Sequence, residues 1–169
     1  MYNKSFGEPP HFNKIILTAV LIAVTLALSI IIPPIPIPGT HGNFNLCDTG
    51  ILTSALLLGP KVGGSVGALS GFLLDILTGY SNYSIFSFIV HGLEGLIAGK
   101  ISRRRDNKYT NVAAVIVGSV VMVTGYFFSD SLLYTIYAGY LGILFNLIQS
   151  LVGGAIALFV FPFLKKRIH

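Results

Sequence analysis

Residues 15–32 read IILTAVLIAVTLALSIII, eighteen positions without one charged side chain. As a helix this run is about 27 Å long, close to the ~30 Å hydrocarbon thickness of a bilayer. Pro33-Pro34-Ile35-Pro36-Ile37-Pro38-Gly39 follows at once. Proline lacks the backbone donor and fixes φ, so the helix stops there and an ordered outer loop begins, running to about Asn45. No small-residue cleavage site follows the run, so it is expected to be a retained span and not a signal peptide.

The same reading extends outward along the chain. Of its 169 residues, 53% are hydrophobic and only 10% charged, with a mean hydropathy of +0.79. A soluble domain carries roughly 25% charged residues, so a water-facing surface cannot be made from this composition. Further apolar runs lie at 46–58, 62–78, 85–101, 111–128 and 141–164. The expected fold is an all-α integral membrane protein, one membrane domain over 1–169 with six transmembrane helices. The segment 129–140 is expected to be a mixed outer loop with room for a short interfacial helix.

Charge placement orients this plan. All 11 basic residues (Lys4, Lys14, Lys61, Lys100, Arg103, Arg104, Arg105, Lys108, Lys165, Lys166 and Arg167) fall on one side of a six-span drawing. The opposite loops, at 33–45, 79–84 and 129–140, hold none. By the positive-inside rule both termini are cytoplasmic. The net charge of +5 therefore reports membrane orientation and gives no support for nucleic acid as a partner. The single cysteine, Cys47, cannot form an internal disulfide.

Small residues mark packing faces. Gly63, Gly67 and Gly71 repeat every four residues, as do Gly95 and Gly99, and such stripes let helix backbones approach closely in lipid. The glycines are expected to pack helices inside the chain. Ala19, Ala23 and Ala27 form a similar stripe on a first helix almost devoid of polar groups, which suits either lipid or a partner subunit.

Ionisable and amide side chains at bilayer depth are costly, roughly 2.5–3.5 kcal/mol each for a charge, and need a reason. Asp48 opens the second run, where it can cap a helix N-terminus or meet a ligand. Asp75 lies one turn before Gly79 and can pair with His91 or cap a neighbouring segment. His91 and Glu94 stand at i and i+3 on one helix face. Without a cysteine cluster or H-E-x-x-H they fall short of a zinc ligand set, so no metal is expected. Asn146 and Gln149 repeat the i, i+3 spacing, and amides both donate and accept. The outer aromatics, among them Phe44, Tyr80, Tyr83, Tyr126 and Tyr137, form an interfacial belt, of which a few can wall a pocket and stack on a flat ring. No nucleophile triad or phosphate loop is present; Gly59-Pro60-Lys61-Val62-Gly63-Gly64 lacks the Walker spacing and forms a tight turn.

Leu46-Cys47-Asp48-Thr49, Ala55 to Gly63, Asp75-Ile76-Leu77-Thr78-Gly79-Tyr80 and Phe88-Ile89-Val90-His91-Gly92-Leu93-Glu94-Gly95-Leu96 together resemble the S components of energy-coupling factor (ECF) vitamin transporters. The branch they resemble is the riboflavin/hydroxymethylpyrimidine type, and Asn146-Leu147-Ile148-Gln149 extends the likeness. Cys47 and His91 depart from it, standing where glycine and lysine are common in relatives. The resemblance implies a substrate-specificity subunit in a prokaryotic cell membrane. It would bind a vitamin from outside, dock on a membrane coupling subunit with two ATPases, and topple to release its load. It implies no enzyme activity and no cofactor, and it places Ala19, Ala23 and Ala27 on the docking face.

Within that frame, the outer half has Asp48, Asp75 and Asp130 but no Lys or Arg. An anionic substrate would lack a strong partner there. A neutral or weakly basic heterocycle, hydroxymethylpyrimidine or a pyridoxine-like molecule, is favoured, with riboflavin and pantothenate as alternatives. The expected contacts are Asn45, Asp48, Tyr80, Tyr83, His91, Glu94, Tyr126, Asn146 and Gln149. Two rivals come from other classes: an intramembrane enzyme using His91 and Glu94, and a non-transporting membrane scaffold.

Overall fold

The computed structural model describes residues 11–31, 35–36, 42–105 and 107–168. Segment 1–10 and most of the proline run lie outside the described residues. Six α-helices carry nearly all of the rest: α1 (His11–Ile31), α2 (Cys47–Leu58), α3 (Pro60–Thr78), α4 (Ser84–Ser102), α5 (Lys108–Leu133) and α6 (Ile136–Ile168). A two-residue hairpin pairs β1 (Ile35–Pro36) with β2 (Asn43–Phe44), antiparallel. A 3-10 turn, Ser81–Tyr83, leads into α4.

Among the described residues, four segments are long and apolar enough to cross a membrane: 14–31, 81–102, 108–133 and 136–167. Their outward faces carry large apolar side chains such as Val20, Ile89, Ile116, Val120, Leu144 and Phe159. Many buried residues are polar. Hydroxyls within the helices turn back on their own backbone, as Thr18 does to the Lys14 carbonyl (2.7 Å) and Ser29 to that of Thr25 (2.8 Å). In lipid, where water offers no alternative partner, this satisfies them within their own helix.

α2 has only 12 residues, and ten of them are buried. A helix enclosed on all sides needs no polar stripe and need not match the bilayer thickness. Leu52, Ala55 and Leu56 pack there with Ala98 of α4, Ala114 and Val115 of α5 and Ala157 of α6. Gly59 separates α2 from α3 with φ of 84°, a left-handed conformation that glycine adopts freely. Pro60 then starts α3 at the position where its missing N–H is harmless. Arg103 Nη2 donates to the Leu57 carbonyl at 3.1 Å and so completes the end of α2.

The glycine stripes seat α3 on α4. A Cβ on Gly63 would lie 2.7 Å from the Gly95 carbonyl oxygen, and one on Gly71 2.7 Å from His91 Cδ2. The outer end differs from the expected loop at 129–140. α5 runs on to Leu133, and α6 starts at Ile136. Polar residues suggested a loop, but their groups are satisfied inside a helix. Ser129 and Ser131 donate to the Gly125 and Phe127 carbonyls at 2.9 and 2.7 Å. Thr135 Oγ1 accepts from the Ala138 N–H at 3.2 Å, closing the first turn of α6.

Candidate functional site

Three helices converge on His91. Its Nδ1 lies 2.7 Å from Glu94 Oε2 one turn along α4, and its Nε2 3.0 Å from the Tyr126 hydroxyl on α5. Ser87, one turn earlier on α4, reaches the same hydroxyl at 2.7 Å. Ser87, Tyr126, His91 and Glu94 thus form one continuous hydrogen-bonded chain, whose donor order follows the histidine tautomer. Asp48 enters from α2, its Oδ1 3.6 Å from His91 Nδ1, too long for a hydrogen bond. Asp48 does not cap α2, whose first residue instead gives its N–H to Asn45 Oδ1 at 2.8 Å.

Gln149 of α6 ties the cluster to the outer loop. Its Oε1 accepts from the Asn45 N–H at 2.8 Å and its Nε2 donates to Asp48 Oδ2 at 3.2 Å. Gly153, one turn on, makes room, since a Cβ there would stand 2.8 Å from the Asp48 Cβ. Tyr83 donates to Asp130 Oδ1, joining the 3-10 turn to the outer part of α5.

Asn45, Tyr83, Tyr126, Asn146 and Gln149 line one small polar cavity with Gly42, Asn43, Asp75 and Asp130. Its free space is about 20 Å³, room for a single water. Asp48, His91 and Glu94 form the buried layer bonded to this lining. Tyr80 stands apart, in an outer vestibule of about 310 Å³ that it lines with Pro36, Gly42, Gly79, Asn82, Tyr83 and Tyr134. Gly42 and Tyr83 border both spaces and connect them.

Several buried oxygens have no partner, among them Asp48 Oδ1, Glu94 Oε1 and Asp75 Oδ2. Asp48, His91 and Glu94 each offer a ligand atom, all within 4.8 Å of one another. A tetrahedral metal holds its ligand atoms roughly 3.3 Å apart. The 2.7 Å between His91 and Glu94 is instead a hydrogen-bond distance. The arrangement is therefore a proton-sharing network, and a metal would have to open it.

Asp75 and Asp130 were absent from the contacts expected from sequence, although both were visible as acids of the outer half. Ser87 was missed too. Its spacing to His91 and Glu94, i, i+4 and i+7, puts all three on one helical face and was a usable signal.

A thiamine precursor transporter, HmpT of Lactococcus lactis subsp. cremoris (strain MG1363), is 35% identical over 158 residues, covering 91% of either chain. An uncharacterized protein in the gap 3' region of Pyrococcus woesei is 34% identical over 137 residues, 79% of this chain and 90% of that one. The solved structure of the S component of a bacterial ECF transporter superposes with a TM-score of 0.75 at 20% identity, covering 94% of this chain and 99% of that one. That likeness establishes the fold, in which α2 is the short enclosed helix. The family model of the ECF-type riboflavin transporter S component matches residues 11–166. The chain thus belongs to the ECF-type riboflavin transporter S-component family, whose members are membrane transport proteins and not enzymes.

Proposed function

We propose that this chain is the specificity subunit of an ECF-type importer in a prokaryotic plasma membrane, binding a small neutral or weakly basic vitamin precursor, hydroxymethylpyrimidine foremost. The observation that carries this reading is the cavity lining: amides, phenols and carboxylates, with no cation among its nine residues. An anionic substrate would find acceptors and no strong donor there. Asp75 Oδ2, buried and unpartnered, suits a donor such as an exocyclic amino group or a hydroxyl. Asn146 and Asn45 can bond ring nitrogens, and Tyr83 and Tyr126 offer faces for a flat ring. The name of the L. lactis relative points the same way.

The substrate enters by the vestibule past Tyr83, and the cavity widens to receive it. Both termini lie on the cytoplasmic side in this reading, with six helices in the membrane. Ala19, Ala23 and Ala27 are exposed along one face of α1, whereas Thr25 and Ser29 of the same helix are buried. That smooth face suits close docking on a membrane coupling subunit, which with two ATPases supplies the energy. Mass spectrometry of ligand released from protein purified out of its native membrane tests the proposal. Hydroxymethylpyrimidine or a similar uncharged heterocycle is expected; a phosphorylated or carboxylated vitamin would overturn it.

A further inference from the structure

A second pair of cavities lies between α5 and α6, lined by none of the residues of the polar cavity. One, of about 650 Å³, is lined by Asn107, Lys108, Asn111, Val112, Leu158, Phe161, Pro162, Lys165 and Lys166. The other, of about 370 Å³, is lined almost wholly by apolar side chains, including Val115, Ile116, Val120, Leu147 and Leu151. Val112 and Leu158 border both, so the two form one continuous groove. It begins at the basic end of the bundle and follows the helices into their lipid-facing region. Val120 lies eight residues beyond Lys108's side of the groove at Val112, about 12 Å deeper along α5.

We infer that this groove is a binding site for an anionic phospholipid, with the headgroup phosphate at Lys108, Lys165 and Lys166 and an acyl chain along Val112, Val120 and Leu158. The charge and shape of the groove select this occupant. Three lysines frame one mouth, and the α5 N-terminus, with its partial positive charge, opens there as well. Lys165 Nζ lies 5.6 Å from the centre of the Phe161 ring, which holds that ammonium over the groove. Asn111, buried at the mouth, adds an amide able to reach a phosphate or glycerol oxygen. Pro162 removes a backbone donor within α6 and leaves the Leu158 carbonyl without its helical partner, at the residue where the two cavities meet. Below the mouth the walls turn apolar, as an acyl chain requires and as a free anion or a polar peptide does not.

The chain contains no tryptophan, so one inserted indole reports on a single place. Val120→Trp in the full-length protein is reconstituted into vesicles of equal parts phosphatidylglycerol and phosphatidylcholine, with bromine on the acyl chains of one lipid or the other. Brominated phosphatidylglycerol is expected to quench the groove indole with a preference on the order of tenfold. That preference should vanish in the combined K108Q, K165Q and K166Q variant and survive in the K61Q, K100Q variant. An indole at Ile89→Trp, lipid-facing on α4, should show no preference. Equal quenching at Val120→Trp, a preference that outlasts loss of the three lysines, or one that excess inorganic phosphate erases would each overturn the inference. Vitamin binding is read separately, so failure here leaves the transport reading standing.

Discussion

Gln149 binds Asp48 with its nitrogen and Asn45 with its oxygen, across 101 and 104 residues of sequence. Both ends of one amide are thereby assigned. Asp48 accepts and the Asn45 backbone donates, so the nitrogen and the oxygen of the amide are both used. Gln149 thereby links the inner cluster to the outer loop.

Gln149→Glu keeps the shape, loses the donor and faces Asp48 with a second carboxylate. The cost of such a buried mismatch is about 1–3 kcal/mol, hence roughly tenfold or more in ligand affinity. Adding Asp48→Asn restores a donor to the pair and should recover much of the loss. Calorimetric affinities of the two variants check both steps. Equal affinity of Gln149→Glu and the parent chain would show that the amide does not order the site.

Tyr83→Phe removes the hydrogen bond to Asp130 at the boundary between vestibule and cavity. It leaves a buried carboxylate oxygen unpaired, so a fall in affinity of about tenfold is expected. Tyr80→Phe touches only the outer vestibule and should leave equilibrium affinity within about twofold. Parallel titrations of the two variants separate the roles.

Much of this arrangement was visible in the residues themselves. The uncharged run 15–32 and the one-sided placement of Lys and Arg point to a helical membrane protein. The His91/Glu94 and Asn146/Gln149 spacings single out two of the faces that meet. Two things were hidden. Ser129, Asp130 and Ser131 resemble loop residues because sequence does not reveal that their polar groups bond within α5 or to Tyr83. Asp48 resembles a helix cap because only packing of α2 against α4 and α6 turns it toward His91 and Gln149. Local pattern reports which face is polar; long-range contacts decide what that face meets.

Gly153→Ala tests how closely α6 must approach α2. The added Cβ would meet the Asp48 Cβ at 2.8 Å, so backbone must move. Overpacking of this kind costs about 1–3 kcal/mol, and a lower unfolding temperature with weakened ligand binding is expected. Thermal unfolding with and without ligand measures both.

Ala23→Leu places a branched side chain on the exposed face of α1, away from every site residue. Ligand affinity should be unchanged, while copurification with the coupling subunit and ATPases should be lost. Assembly at the parent level would reject this face as the docking surface.

In the proposed function, the cavity between the outer loop, the 3-10 turn, α3, α5 and α6 receives a small uncharged heterocycle. Calorimetric titration of the purified chain with hydroxymethylpyrimidine, riboflavin and pantothenate addresses it directly. Saturable binding of hydroxymethylpyrimidine is expected, one per chain, weakened about tenfold by Asn146→Leu, which removes an amide from the cavity lining and leaves a bound ring's polar groups without that partner. Binding of riboflavin or pantothenate in its place, or of none of the three, would contradict it.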